Sequence, residues 1–427
     1  MLDIKFIREH PEKIKEAVQK RGMHFDVDFL LASDEKRRTL IAERDNVRAG
    51  HNAISEEISR IEGDARAKKI EESKQMKDSL LDAEKKVAAA EEEFNELMRR
   101  LPNIPFDDVP IGPDESANKI IREAGEKRSF SFTPKDYTEV AARLGLIETE
   151  RAAKVSGSRF GYLMKEAVLL EFALVRFALD RVLAKGFIPI VPPVLVRESA
   201  MRAMGYIDTQ DDREERYFLD KDKLFLVGTS EQSIGPMHAD ETFAASDLPR
   251  RYVGFSSCFR REAGSYGKDT KGILRVHQFD KVEMFTLARP EDSPKEHELM
   301  LSIEEELMQA LVIPYRVVLL STGDLSRPSV KTYDIEAWLP GQGNAAGEYR
   351  ETHSTSNTTD FQARRLNIKY RTEDGGTEFV HLLNGTAFAI GRTLIAILEN
   401  YQEEDGSVVV PKVLRPYMGG MEKIIHA

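Results

Sequence analysis

Cysteine is almost missing: Cys258 stands alone in 427 residues. One thiol excludes an intrachain disulfide framework and any zinc cluster built on several cysteines. No apolar run reaches membrane-spanning length, and the opening Met-Leu-Asp-Ile-Lys-Phe lacks the basic-then-apolar pattern of a secretion leader. A soluble, cytoplasmic chain with no membrane partner is expected. An excess of basic charge is missing too, since the net charge is −11, whereas nucleic-acid binders ordinarily carry a positive footprint. Screening confines a surface charge to about 10 Å, so local basic clusters keep that role open. Neither the Walker-type nor the Rossmann glycine pattern occurs. A bound nucleotide would therefore need another scaffold.

Proline is absent between Ser33 and Arg100, where Gly50 and Gly63 are the only glycines. What is present there is charge of both signs and sparse apolar positions: Leu40, Ile41, Val47, Ile54, Ile58 and Ile61, then Leu80, Leu81, Val87, Phe94 and Leu97. The polar Glu62-Gly63-Asp64 divides the two sets. The pattern predicts two long helices folded back on each other, each roughly 45–50 Å long. Their narrow stripe can seam two helices and little more, which describes an arm projecting into solvent. Pro102, Pro105, Pro110 and Pro113 end it. An arm over residues 1–110 and a larger domain over 111–427 are expected.

In the larger segment Met164–Lys185 reads as an amphipathic helix stopped by Gly186, followed by a strand, Phe187–Val191. Leu224–Thr229, Tyr252–Arg261, Ile273–Phe285, Tyr315–Leu320, Thr332–Leu339, Tyr349–Ser354 and Glu378–Asn384 read as strands, and Thr393–Gln402 as a closing helix. Strands in succession without helices between them predict a mostly antiparallel sheet flanked by helices, in an α+β fold.

Polar groups concentrate in a few places. Phe259-Arg-Arg-Glu-Ala-Gly-Ser-Tyr-Gly267 and the following strand form a hairpin, and alternation places Arg275, His277, Phe279, Lys281 and Glu283 on one face. Arginines for phosphate and a phenylalanine for a base suit a nucleotide; a solvated hairpin with charges paired across its strands accounts for the same pattern. In Gly228-Thr-Ser-Glu231, Thr229 and Glu231 point the same way at a strand end and can hold an ammonium and a small polar group; a helix N-cap with Glu in the first turn is the alternative. Glu351 and Ser354 offer oxygens for magnesium, or simply end a strand. Asn384-Gly-Thr386 leads to Arg392 at a helix start, either an anion clamp or a surface arginine. His238, His297, His353 and His381 lack metal-ligand spacing.

Together, Gly228-Thr-Ser-Glu231, Phe259-Arg-Arg-Glu-Ala-Gly264, Arg275-Val-His-Gln-Phe279, Phe361-Gln-Ala-Arg-Arg365 and Asn384-Gly-Thr386 with Gly391-Arg392 resemble the signature motifs of class II aminoacyl-tRNA synthetases. In detail they resemble the bacterial-type seryl-tRNA synthetase family, over essentially the whole chain. The resemblance implies serine activation with ATP, then transfer to tRNA(Ser), and to tRNA(Sec) where one exists. It implies ATP contacts from Arg260, Arg261, Glu262, Val276, Phe279, Glu351, Thr352, His353, Ser354 and Arg392. By the same resemblance Phe279 would stack on adenine, the Val276 backbone would read its edge, and Arg392 would grip the γ-phosphate. Glu351 and Ser354 would hold Mg2+, and Arg260, Glu351 and Arg392 would be the catalytic set.

A serine pocket of Thr229, Ser230, Glu231, Arg260, Glu283, Asn384 and Thr386 follows from the same resemblance. So does a homodimer built on the helix before Gly186 and the strand running to Pro193. The zinc-dependent branch uses a pocket cysteine, so no zinc is expected. The arm is expected to reach the long variable arm of tRNA, with Arg37, Arg38, Arg44, Lys68 and Lys69 toward its backbone. Departures from the family fall at Ser326-Arg-Pro-Ser329, in the Gly341–Gly347 loop, and at Asp280, where histidine is frequent. Prolyl and threonyl relatives carry an anticodon-binding domain after the last motif, and here a short tail follows Gln402.

Overall fold

The computed structural model describes residues 1–262 and 271–426. Two compact units emerge, one of Leu2–Gln19 with Met23–Pro102, the other of Met1, Lys20–Gly22 and Asn103 onward. The division therefore falls inside the expected segment 1–110. Asn103 belongs to the larger unit because its carboxamide donates to the carbonyls of Pro328 and Thr358, both at 2.9 Å.

The smaller unit contains the expected helix pair, α3 (Val27–Ile58) and α4 (Asp64–Arg100), preceded by two short helices, α1 (Ile4–Glu9) and α2 (Pro11–Lys20). At 1.5 Å per residue the long helices reach roughly 48 and 56 Å. The Asp26 carboxylate caps α3 by accepting from the Phe29 amide at 2.8 Å. Gly63, at φ 67°, turns the chain into α4. Leu30, Ile54, Val87, Ala90, Phe94 and Met98 form the buried seam, while Leu81 faces solvent. Gly50 allows close approach, since a Cβ there would lie 3.1 Å from the Met76 sulfur.

At the base of α3, buried Asp34 gathers Arg8 (2.7 Å), Arg37 (3.0 Å) and Arg38 (3.2 Å). Arg44 closes on Asp45 at 2.8 Å, and Lys69 on Glu57 and Glu72 at 3.0 and 3.1 Å. Of the basic residues expected to face nucleic acid, Lys68 is exposed and the other four are engaged within the arm.

The larger unit is built on β1 (Lys119–Ala124), β2 (Ile188–Ile190), β3 (Arg250–Phe259), β4 (Gln278–Ala288), β5 (Tyr315–Leu319), β6 (Lys331–Leu339), β7 (Glu348–Asn357) and β8 (His381–Ala389). They form one sheet in the order β1-β5-β6-β7-β8-β4-β3-β2. Every neighbouring pair is antiparallel except β2 with β3. Helices α5 (Glu166–Leu183), α6 (Ser293–Ala310) and α7 (Ile390–Asn400) share a core with the sheet through Leu174, Phe177, Met300, Leu307, Leu394 and Ile397. Val282 and Met284 of β4 point into that core. Alternation then sends Phe279, Lys281 and Glu283 to the opposite face.

Two stretches leading into this sheet differ from expectation. The stretch from Ile273 to His277 precedes β4 instead of belonging to it, because its amides are taken elsewhere. Tyr137 Oη accepts from Ile273 and Leu274 at 2.9 and 3.2 Å, and the Arg159 carbonyl accepts from His277 at 2.9 Å. The stretch read as one strand, Glu378–Asn384, is split: Thr377–Phe379 joins a small three-stranded sheet, and β8 begins at His381. Ala263, Gly264, Ser265, Tyr266 and Gly267 of the hairpin lie outside the described residues. Among the described residues no helix is long and apolar enough to cross a membrane.

Candidate active site

β4 supplies the spine of a cleft partly open to solvent. Arg260, Glu262, Val276, Phe279, Glu351, Thr352, Thr386 and Arg392 line it together, joined by Arg275 and Lys281. Arg260 leaves the end of β3 with its guanidinium 5.3 Å over the Phe279 ring, and its Nε donates to the Gly228 carbonyl at 3.2 Å. Glu262 pairs with Arg275 at 2.7 Å and holds a left-handed backbone, φ 52°.

Glu351 and Ser354 sit at odd spacing, which on a regular strand would send them to opposite faces. A bulge repairs this: the register of β7 against β6 shifts between Ile335 and Glu336, so that Thr352 is the extra residue. Glu351 and Thr352 consequently both line the cleft, and Ser354 comes opposite Asp334. Arg392, in the first turn of α7, donates to the Glu351 carbonyl at 2.9 Å and pairs with its carboxylate at 3.1 Å. Against the partial desolvation of the cleft, Arg392 holds the Glu351 carboxyl below the usual range. Asp334 is pushed well up, by burial and then by Glu351, and its Oδ1 is buried without a partner.

Beside the cleft lies a small, strongly polar recess. Lys281 Nζ meets the Glu283 carboxylate at 2.5 Å and approaches Thr229 Oγ1 at 3.4 Å. Thr386 Oγ1 donates to Glu283 at 3.5 Å. Glu231 is buried, accepts from the Tyr206 hydroxyl, and keeps Oε2 unpartnered. Burial and then Glu283 push its carboxyl up to about 8; Glu283 itself is raised, by burial. Gly254 makes room for the Ser230 segment, because a Cβ there would come within 2.8 Å of Ser230 Oγ. The recess holds acids in excess of base, with unmet acceptors, as a site for an ammonium group would.

The structure redirects several expected residues. Thr229 and Glu231 do not share a strand end: that strand stops at Leu226, and Glu231 opens the short helix Glu231–Ile234. Ser230 does not cap this helix through its side chain. His353 falls on the core side of the bulge, where it packs 5.7 Å from Phe388 and bonds Thr352 Oγ1; burial lowers it to about 3. The Arg261 guanidinium lies over the Tyr217 ring at 5.2 Å, away from the cleft lining. His277 leaves the Phe279 face because β4 starts after it, and it packs against Phe160 and Tyr217. Asn384 lies on β8 on the same side as Thr386. Sequence reasoning missed Lys281 as the partner of Glu283, and missed Tyr206 and Asp334; only Lys281 carried a signal, its alternation with Phe279 and Glu283.

Comparison with known proteins bears on this geometry. Residues 216–401 match the tRNA synthetase class II core domain (G, H, P, S and T), and residues 1–105 match the seryl-tRNA synthetase N-terminal domain. The chain is 46% identical over 422 residues to a serine–tRNA ligase of Dictyoglomus turgidum, covering 98% of each. It is 44% identical to one of Thermobifida fusca, over 100% of this chain and 99% of the relative. Among solved structures, the seryl-tRNA synthetase of Pyrococcus horikoshii complexed with ATP superposes with a TM-score of 0.88 at 42% identity, covering 100% of both chains.

Proposed function

The chain belongs to the seryl-tRNA synthetase family, and from that premise we propose how its own residues carry the reaction. It is an aminoacyl-tRNA ligase that activates serine with ATP and joins it to tRNA. The serine carboxylate attacks the α-phosphorus; an O–P bond forms, and the bond to pyrophosphate breaks. A terminal ribose hydroxyl of tRNA then attacks the acyl carbon, and AMP leaves. The nucleophile of the first step is already ionised, so positioning and charge stabilisation do the work without a general base.

Arg260 binds the α-phosphate and the carboxylate, Phe279 and the Val276 backbone seat the adenine, and Glu262 with Arg275 borders the triphosphate. Arg392 takes the γ-phosphate and exchanges its Glu351 partner for it. Glu231 and Glu283 receive the serine ammonium and hydroxyl with Thr229, Asn384 and Thr386. The observation that carries this assignment is the polar recess around Glu231, Lys281 and Glu283, set directly beside an arginine-lined cleft.

Magnesium fits Glu351 and Ser354. Unpartnered Asp334 Oδ1 leaves two carboxylates and a hydroxyl crowded together, a set a hard cation would relieve. Among the described residues no group of three or more acidic, His or Cys side chains is arranged for a metal, so Glu351 and Ser354 would hold the ion together with nucleotide oxygens and water, and it would supply neutralisation of phosphate charge.

A second copy of the chain is proposed to cover the edge strand β2 and the adjoining helix α5, where Phe172 is 62% and Val191 81% exposed. The arm of residues 1–110 is assigned to tRNA and the reaction to the cytoplasm. ATP–pyrophosphate exchange with each of the twenty amino acids, in the absence of tRNA, tests the assignment. Exchange stimulated by serine alone supports it, and a folded, magnesium-supplied protein with no exchange overturns it.

A further inference from the structure

Arg216 is a cation to which the roles above give no part. It lies between the short helix Gln210–Glu214 and the strand Phe218–Leu219. Its guanidinium rests 5.3 Å over the Tyr206 ring. A guanidinium offers five N–H donors, yet among the described residues its one side-chain hydrogen bond is a 3.5 Å contact to the Glu215 carbonyl. The Nε–H is buried without a partner. Such desolvation is costly unless something compensates it.

The charges around it compensate only in part. The strongest is a second cation, Arg260. Of the acids nearby, Asp212 is committed to Arg327 at 2.9 Å and Glu262 to Arg275 at 2.7 Å; Glu215 immediately precedes Arg216 in the chain, and its carbonyl accepts from the Arg261 amide at 3.1 Å. Burial and then Arg260 lower Arg216 to about 10, which leaves it charged at neutral pH.

The segment is also fastened to the site. Besides the Glu215–Arg261 bond, the Leu226 amide donates to the Tyr217 carbonyl at 3.0 Å, just ahead of the Gly228–Glu231 loop. Tyr206, beneath the guanidinium, donates to Glu231. Two arginines brought together in a desolvated place, one with unmet donors, describe half of an anion site.

We propose that Arg216 is a further anion-binding residue of the activation site, sharing with Arg260 the junction of phosphate and carboxylate in the serine adenylate. The proposal rests on the function proposed above. The phosphodiester of the tRNA end offers similar oxygens, and the experiment separates the two.

Full-length wild type, Arg216→Met and Arg216→Lys are titrated calorimetrically, without tRNA, with two probes: the seryl sulfamoyl analogue of the adenylate, and adenosine. Arg216→Met should weaken the analogue about 30-fold. Arg216→Lys should weaken it less, and adenosine should hold within about twofold for both. Serine-dependent pyrophosphate exchange should fall with analogue affinity. Unchanged analogue affinity in Arg216→Met overturns the proposal. So does a defect confined to transfer from preformed adenylate, which gives the residue to tRNA, and so does an equal loss of adenosine binding, which marks a structural role. A wild type that binds no analogue overturns the functional reading itself, a result distinct from these.

Discussion

In the arm, Lys36 meets Glu93 at 2.9 Å, Arg48 meets Glu84 at 2.8 Å and Lys86 meets Asp82 at 2.8 Å, all at the solvent surface. In the catalytic unit Glu231, Glu283 and Glu304 are buried, and burial raises the carboxyl of each. The residue types are the same and their environments are opposite. Exposed pairs contribute about 0–1 kcal/mol each and are screened by salt. They clothe a thin, two-helix element in hydrated charge at little gain or cost in stability. Buried acids without full partners oppose folding, and a fold keeps them where a ligand will complete them. The contrast teaches which charges serve stability and which serve binding.

Alterations across both units can break or sharpen this contrast. The largest expected effect is in the cleft: Arg260→Ala should lower kcat/KM for serine-dependent exchange by about 10³-fold, with the melting temperature nearly unchanged. Next, Glu283→Gln should raise the KM for serine by about 100-fold and leave the KM for ATP little altered, as steady-state exchange kinetics would show. A mainly structural Glu283 would move both constants together.

The arm has one counter-example to its own rule, Asp34. Because this buried carboxylate holds three arginines, Asp34→Ala should destabilise the smaller unit by about 3 kcal/mol. Hydrogen exchange in α1 and the start of α3 would report it, while pyrophosphate exchange stays at the wild-type rate.

A pH series sharpens the comparison further. The Glu231 carboxyl, pushed up to about 8, lies above the roughly 4.3 of a free glutamate. Its stabilising contribution is fully present below about pH 4 and is lost as pH rises through about 8. The serine-free protein should lose melting temperature between about pH 4 and about pH 8, with no further loss from this group above that, and Glu231→Gln should flatten that decline. The smallest effect belongs to the arm surface: Arg48→Ala should change unfolding free energy by less than about 0.5 kcal/mol in chemical denaturation.

The arm was legible because periodicity and the absence of proline both act locally. Leu40, Ile54, Val87 and Phe94 mark its seam without reference to anything distant. The antiparallel sheet was legible for the same reason. What sequence alternation could not supply was where alternation fails. The bulge at Thr352 sends His353 into the core and brings Glu351 and Ser354 to one face. That bulge depends on the register of a neighbouring strand, which no local pattern records. The start of β4 was misplaced because Tyr137, far away in sequence, takes the amides of Ile273 and Leu274. Arg216 and Tyr206 gave no signal at all, since only tertiary structure carries them to Arg260 and Glu231.

The proposed division of labour puts chemistry in the larger unit and tRNA affinity in the arm. The most direct measurement compares wild type with the full-length variant Arg44→Glu, Lys68→Glu, Lys69→Glu in two assays on one preparation. Serine-dependent pyrophosphate exchange should agree within about twofold, while kcat/KM for tRNA in aminoacylation should fall at least about tenfold, with a shallower salt dependence. Equal losses in both assays, or tRNA charging unchanged in rate and salt dependence, would contradict it.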